Sequence, residues 1–213
     1  MTEPAPPLEF WFEFASTYSY PAAMRVERAA RERGRSVVWR AFLLGPIFGA
    51  QGWNDSPFNI YPAKGAYMWR DLERICAADG LAMNRPSRFP RNGLLAARVA
   101  CANAAEPWLP AFVRAVYDAN FARDREISEP AVVAECLERA GQGAAPLLEA
   151  AQSDAAKAAL REQTERAAKL GIFGAPTFVT PDGELFWGND RLEDALAWPL
   201  RAPSRGRRAG GSV

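Results

Sequence analysis

The first part of the chain shows an apolar and polar pattern that predicts a strand, a helix and a second strand. Leu8–Phe14 alternates apolar with acidic residues and is rich in aromatic side chains, which is typical of a strand. Tyr20–Arg33 is rich in alanine, arginine and glutamate and ends before Gly34, a good helix stop. Ser36–Phe42 is β-branched and aromatic, which predicts the second strand. This order implies two parallel neighbouring strands joined by a right-handed crossover.

Residues 43–63 interrupt this regular pattern with prolines, glycines and several aromatic residues. We expect a long ordered loop there, because the aromatic content argues against disorder and ordered loops of this length usually serve a function. Beyond it the pattern is helical as far as Leu170. Five helices are predicted there: Ala66–Ala78, Gly93–Ala105, Pro110–Arg125, one opened by Ser128-Glu129-Pro130 and closed near Gly141, and one capped by Ser153 that reaches Leu170.

Strand signals return only near the end of the chain, at Thr177–Thr180 and Glu184–Trp187. Pro181-Asp182-Gly183 separates them and favours a hairpin turn. Asn189 is predicted to cap a last helix that reaches Leu196.

The element order is therefore βαβ, a helical block, then ββα. We expect one α/β domain with an inserted helical subdomain, because neither flanking half could bury its sheet alone. The predicted sheet domain comprises residues 8–63 and 171–200, and the helical insertion comprises residues 64–170. Disordered tails are expected at 1–7 and 201–213 because of their composition.

Composition narrows the function classes. The net charge of +1 gives no reason to expect a nucleic-acid or acidic-membrane partner. No apolar run is long enough to span a membrane, and the acidic, proline-rich N-terminus does not have the pattern of a secretory signal. The three cysteines Cys76, Cys101 and Cys136 lack C-x-x-C spacing, which fits a reducing cytoplasm. We expect each of them to be a small buried apolar residue.

The chain contains no histidine. This excludes Ser-His-Asp and Cys-His catalysis, histidine general bases and histidine-ligated metal sites, and no metal centre is expected. Any chemistry must use hydroxyls, carboxylates, lysine, backbone dipoles or the reactive group of a cofactor.

Ser16 stands where the first strand gives way to a helix. Pro21 is favourable only in the first helical turn, so the helix should begin near Ser19. One interpretation is that Ser16 or Ser19 is simply the helix cap. The other is that the Ser16 hydroxyl points into a cleft at the helix N-terminus, where anions, including thiolates, are stabilised.

Pro176 follows Gly174-Ala175 and precedes a strand. A trans turn proline is one interpretation. The other is a cis bond that leaves the N–H and C=O of Ala175 as an edge able to pair with an extended peptide, such as a tripeptide thiol.

Several polar residues have two interpretations each. Asn189 and Asp190 form either a cap with a surface salt bridge or a site for the amino and carboxylate groups of a peptide. Lys64 is either a solvated lysine or a partner for a carboxylate, and Asn54 is either a turn residue or a polar contact.

Four motifs carry a resemblance to a known family: F-E-F-A-S-T-Y-S-Y from Phe12, P-A-K-G-A-Y-M from Pro62, I-F-G-A-P-T-F from Ile172 and F-W-G-N-D-R-L from Phe186. With them the chain resembles the 2-hydroxychromene-2-carboxylate isomerases and, more distantly, the kappa-class glutathione transferases and DsbA-type oxidoreductases. The similarity extends from Leu8 to Trp198, and the intact W-G-N-D favours the isomerases. The implied structure is a thioredoxin-like α/β fold with a large all-helical insertion between the βαβ and ββα halves, and the implied cofactor is reduced glutathione.

The resemblance also implies roles for individual residues. Ser16 would be the catalytic residue that binds the glutathione sulfur. Ala175 would pair with the cysteinyl backbone across cis-Pro176. One departure is Thr17, where the family often has proline. The remaining implied glutathione contacts are Asn54 and Lys64 at the glycyl end or backbone, Asn189 and Asp190 at the γ-glutamyl group, and Trp187 and Gly188 in the same motif.

The expected activity is a glutathione-dependent cis-trans type isomerisation of aromatic catabolites, by reversible addition of the thiolate. A kappa-like glutathione transferase and a catalytically silent peptide-binding module are the alternatives. A disulfide oxidoreductase is excluded, because neither Ser16 nor Ser19 can form a disulfide. The expected partners are glutathione and a small aromatic substrate, and assembly as a homodimer is left open.

Overall fold

A computed structural model describes residues 5–198 and contains one mixed sheet of four strands. The strands are β1 (Ala5–Phe12), β2 (Arg35–Ala41), β3 (Thr177–Val179) and β4 (Leu185–Trp187), arranged in the order β2-β1-β3-β4. β1 pairs parallel to β2 and antiparallel to β3, and β3 pairs antiparallel to β4. The parallel pair and the C-terminal hairpin are both confirmed. The thioredoxin-like α/β topology that they define brings the first strand and the late β3–β4 hairpin into one sheet.

The side chains of β1 cover both faces of the sheet because they alternate along the strand. Leu8, Phe10 and Phe12 are fully buried in the main core. Trp11 points to the opposite face, where a second apolar cluster includes Phe42. Helices therefore cover the sheet on both sides.

The helix α1 (Ser19–Glu32) connects β1 to β2 and begins at the predicted residue. Its buried face, which includes Ala22, Val26 and Ala30, packs on the main core. Pro21 lies in the first turn, where its missing N–H removes no helical hydrogen bond.

The prediction that residues 43–63 lack secondary structure is wrong. This segment contains α2 (Leu44–Ala50) and α3 (Pro57–Ile60), and α4 (Pro62–Asp79) begins before its end. Ser56 caps α3 by accepting the N–H of Phe58, and a proline stands at the start of both α3 and α4. These prolines start helices here, as proline does at the first helical position.

The helical block also departs from the prediction in places. The predicted helix Pro110–Arg125 is α6 (Leu109–Tyr117) followed by a π-helical turn, Asp118–Ala122. Ser128 does not cap the next helix, since its hydroxyl donates to Glu126. Ser153 does cap its helix, by accepting the N–H of Ala156. The other helices of the block are α5 (Leu94–Ala102), α7 (Pro130–Arg139), α8 (Ala144–Ala150), which was not predicted, and α9 (Asp154–Lys169).

After β4, a single 3-10 turn over Asn189–Arg191 leads into α10 (Leu192–Ala197). The prediction that Asn189 caps this helix is wrong, because its side-chain oxygen accepts a hydrogen bond from Arg25 instead. The expected tail 201–213 lies outside the described residues, whereas the tail 1–7 overlaps β1 from Ala5 onward.

One apolar core runs from the sheet through α1 into the helical block. The boundaries 64–170 of the insertion therefore stay a prediction. Among residues 5–198, no helix is long and apolar enough to cross a membrane, and no group of acidic or cysteine side chains is placed to hold a metal ion. Location in the cytoplasm stays a prediction.

Candidate functional site

A cleft of about 1430 Å³ opens where the end of β1 meets the turn before β3. Its volume exceeds the roughly 300–1,000 Å³ of pockets that hold one small molecule. Eight of the nine predicted site residues line it; the ninth, Pro176, follows the lining residue Ala175 but is not itself part of the lining. The eight are Ser16, Asn54, Lys64, Ala175, Trp187, Gly188, Asn189 and Asp190.

Ser16 lies at the point where the chain turns from β1 into α1. Its backbone N–H donates to the carbonyl of Glu13, 3.0 Å away, which closes the turn. Its hydroxyl accepts the N–H of Ser19 at 3.3 Å and donates to the carbonyl of Ala175 at 2.8 Å. Both interpretations of Ser16 therefore hold in part: the hydroxyl receives a helix N–H, and it also faces the cleft.

The bond between Ala175 and Pro176 is cis, which confirms one of the two interpretations of this proline. The Ala175 carbonyl is occupied by Ser16, so the edge is not wholly unpaired. The Ala175 N–H forms no hydrogen bond with any described residue. The carbonyl of Pro176 accepts the N–H of Gly188 at 2.9 Å, which ties this turn to the W-G-N-D segment.

Trp187 covers the cis-proline turn from the outside. Its ring is 53% exposed and packs against Phe173, with the ring centroids 4.9 Å apart. A β-carbon on Gly174 would lie 2.4 Å from the Trp187 indole nitrogen, so a larger residue there would displace the ring. Gly188 has a φ of +119°, a conformation that other residues rarely adopt.

The two residues after Gly188 differ in how accessible their side chains are to a ligand. Asn189 is 7% exposed, and its side-chain oxygen accepts the Arg25 Nε at 3.0 Å. Asp190 is exposed and lies 3.6 Å from Arg191, which confirms the surface salt bridge. Asp190 therefore presents an accessible carboxylate, whereas Asn189 chiefly anchors the turn to α1.

Lys64 and Asn54 line the opposite segment of the cleft wall, formed by the α2–α4 region. Both are exposed. The Lys64 ammonium lies 5.4 Å from the centre of the Tyr61 ring, and it pairs with no carboxylate among the described residues. It is therefore free to meet a ligand carboxylate.

Sequence reasoning missed several polar residues of the cleft. Tyr18 donates its hydroxyl to Asp71 at 3.0 Å, and burial, followed by this bond, raises the pKa of Tyr18 well above its ordinary value. Arg91 lines the cleft, but its guanidinium is engaged by Asn120 and Asp124. No local sequence pattern indicated either contact, because both join segments far apart along the chain.

Glu13 is the most unusual residue that sequence reasoning missed. It lines the cleft, and its carboxylate accepts the N–H of Ala15 at 2.9 Å. Burial raises the pKa of Glu13 from 4.5 to about 7, against the hydrogen bonds from Ala15 and Ser16 that lower it. One sequence signal was present: an acid at the end of an apolar strand, three residues before the serine.

None of the three cysteines lines the cleft. Cys76 and Cys136 are buried as predicted, and Cys101 is half-buried. Burial is the main cause that raises the pKa of Cys76 and of Cys136 to about 11. The cleft therefore has a hydroxyl where a redox site would have a thiol.

Comparison with known proteins agrees with this geometry. The model of the DSBA-like thioredoxin domain matches residues 7–197. A 2-hydroxychromene-2-carboxylate isomerase of Sphingobium xenophagum is 30% identical, with 87% of this chain and 94% of that protein covered. Glutathione S-transferase kappa 1 of Homo sapiens is 28% identical, with 87% of each protein covered.

A solved structure of a 2-hydroxychromene-2-carboxylate isomerase superposes with a TM-score of 0.76 at 28% identity, covering 87% of this chain and 90% of that one. The family model spans nearly all of the described chain, and the isomerase match is nearly as long. The chain therefore belongs to the DsbA-like family of thioredoxin domains, in the group that includes the 2-hydroxychromene-2-carboxylate isomerases.

Proposed function

We propose that the protein is a glutathione-dependent isomerase of aromatic compounds similar to 2-hydroxychromene-2-carboxylate. The observation that carries this proposal is the contact between the Ser16 hydroxyl and the Ala175 carbonyl. It brings together a helix N-terminus, a hydroxyl and a peptide edge in a cleft without cysteine. Such a site can hold the thiol of another molecule but cannot form a disulfide itself.

The residues present fit glutathione. The Ala175 N–H, unpaired among the described residues, can donate a hydrogen bond to the backbone carbonyl of the cysteinyl residue, as in strand addition. Lys64 is a free cation for the glycyl carboxylate, and Asp190 is an exposed carboxylate for the γ-glutamyl amino group. Asn54, Trp187, Gly188 and Asn189 would complete the wall around the tripeptide.

When bound, glutathione supplies a thiolate that adds reversibly to a carbon–carbon double bond conjugated to a carbonyl, so that this bond can rotate. Ser16 would turn its hydroxyl from Ala175 to the sulfur and donate a hydrogen bond to it. The N-terminus of α1 would add its positive dipole end, and both effects favour the anion. No histidine is needed.

The cleft has room for a second molecule beside the tripeptide, since its volume is that of more than one ordinary small-molecule pocket. The Phe173 and Trp187 rings at its rim provide an apolar surface for an aromatic substrate. A kappa-like transferase is the second candidate, favoured by the match to the human kappa protein. Both activities share the first step, so only the product separates them.

The test is product analysis after incubation with glutathione and either 2-hydroxychromene-2-carboxylate or a chlorinated dinitrobenzene. We expect the rearranged isomer of the first compound, with glutathione regenerated and required. Accumulation of a glutathione conjugate instead would identify a transferase. Glutathione binding without turnover of either compound would identify a silent binding module.

Ser16→Ala should lower turnover by about 100-fold, the usual loss when one donor to a developing anion is removed. Ser153→Ala is the matched control, because it also removes a hydroxyl that accepts a helix N–H, but it lies outside the cleft. Both variants should fold, and only Ser16→Ala should lose activity. Full activity of Ser16→Ala would contradict the assignment.

A further inference from the structure

Glu13 lines the cleft, and its carboxyl group forms no ion pair with residues 5–198. It follows β1 directly, stands three residues before Ser16, and lines the same cavity. One carboxylate oxygen accepts the N–H of Ala15. The backbone N–H of Ser16 also interacts with the carboxyl group and lowers its pKa. Burying a carboxylate without a cationic partner costs free energy of folding, and such groups are concentrated at functional sites.

A second acid, on β1 itself, shows how a carboxylate with a purely structural role is paired in this fold. Glu9 lies within 2.8 Å of both Arg40 and Arg166 and also accepts the indole N–H of Trp11. It does not line the cleft. Burial opposes ionisation of Glu9, but the two arginines outweigh it, and the pKa of Glu9 is lowered. The missing partner at Glu13 is therefore a feature of the cleft and not of the strand.

The groups that face Glu13 leave its charge uncompensated. From α6, the Tyr117 hydroxyl donates to the backbone carbonyl of Glu13 and not to its side chain. From the segment before α5, Arg91 directs its guanidinium to Asn120 and Asp124. The turn before β3 brings no charged residue to the wall. The other charged residues of the wall, none of them in an ion pair with Glu13, are Asp55, Lys64, Asp71, Asp190 and Arg191.

We infer that Glu13 is the proton acceptor for the thiol bound beside Ser16, an inference that rests on the proposed function. The S–H bond breaks, its electron pair stays on the sulfur, and the proton moves to an oxygen of the Glu13 carboxylate. Glu13 becomes a neutral acid, and the proton returns to the sulfur when the thiol is released. Ser16 donates a hydrogen bond to the anion but does not take the proton.

Burial supports this role. An ordinary carboxylate is too weak a base to take a proton from a thiol, whereas one with a pKa of about 7 lies much closer to the thiol. The two groups would then share one proton and titrate as a coupled pair.

The test counts the protons released when glutathione binds. Calorimetry at about pH 7.5 in two buffers of different ionisation enthalpy gives this number for the wild-type protein, Glu13→Gln and Glu9→Gln. The ultraviolet absorbance of the bound thiolate, followed against pH, gives its ionisation independently. Glutamine keeps an acceptor for the Ala15 N–H, so the turn should be preserved, and Glu9→Gln controls for the loss of a nearby acid on β1.

We expect the wild-type protein and Glu9→Gln to release almost no proton, because Glu13 keeps the proton of the thiol. Glu13→Gln should release close to one proton for each thiolate formed, and its absorbance should titrate in a single step at a different pH. If Glu13→Gln binds glutathione with the proton count and titration curve of the wild type, the role of Glu13 is refuted while the proposed function stands. If no protein binds glutathione, the proposed function fails and the inference falls with it.

Discussion

The carboxyl group of Glu13 should make the stability of the ligand-free protein depend on pH. The perturbation is Glu13→Gln, which removes the titrating group but retains an oxygen that can accept the Ala15 N–H. No ligand is needed, so this prediction is independent of any activity.

The sign follows from the direction of the pKa shift. Folding raises the pKa of Glu13 from 4.5 to about 7, so between these values the folded state binds the proton more tightly than the unfolded state. The associated stability is fully present below pH 4.5 and is lost as the pH rises through about 7. A shift of this size corresponds to about 3 kcal/mol.

Urea denaturation at pH 5 and pH 8 measures the free energy of unfolding by linear extrapolation. Between these two pH values the free energy of unfolding of Glu13→Gln should rise by about 2.5 kcal/mol relative to that of the wild type, because the variant lacks the loss caused by ionisation. Glu9→Gln is the control: the lowered pKa of Glu9 places its stability change below pH 4.5, so its difference from the wild type should be constant. Parallel pH curves for Glu13→Gln and the wild type would refute the reasoning.

Two further predictions concern the walls of the cleft. Arg91→Met should lower the free energy of unfolding by about 3 kcal/mol, because losing the buried Arg91 guanidinium leaves its partners unpaired. The control Arg88→Met removes an exposed guanidinium and should have little effect in the same urea measurement. Gly174→Ala should displace the Trp187 ring, seen as a shift in tryptophan fluorescence and weaker glutathione binding by calorimetry. Gly49→Ala, where a β-carbon meets open space, should change neither; an unshifted spectrum for Gly174→Ala would contradict the packing argument.

Local sequence patterns predicted those features that depend on residues close together along the chain, such as helix starts, helix caps and tight turns. The start of α1 followed from the position of Pro21, and the cap of α9 followed from Ser153. The hairpin between β3 and β4 followed from Pro181-Asp182-Gly183. Ser16 and Ala175 were assigned to one site although they are 159 residues apart, and only the family resemblance supplied that link.

The errors arose where distant residues decide the outcome. Asn189 is a residue type that often caps helices, but its side-chain oxygen accepts a hydrogen bond from Arg25, 164 residues earlier in the chain. The segment 43–63 has the composition of a loop, yet its prolines begin helices that pack beside the cleft. In the sequence, Glu13 is indistinguishable from any acid of an alternating strand. Its burial and its lack of an ion-pair partner arise only when distant segments pack around it.

A crystal structure of the protein soaked with glutathione would show whether the cleft binds this thiol beside Ser16. We expect the tripeptide in the cleft, with its sulfur accepting a hydrogen bond from the Ser16 hydroxyl and its cysteinyl backbone paired with Ala175. Glutathione absent from a fully soaked crystal, or bound with its sulfur away from Ser16, would contradict this expectation.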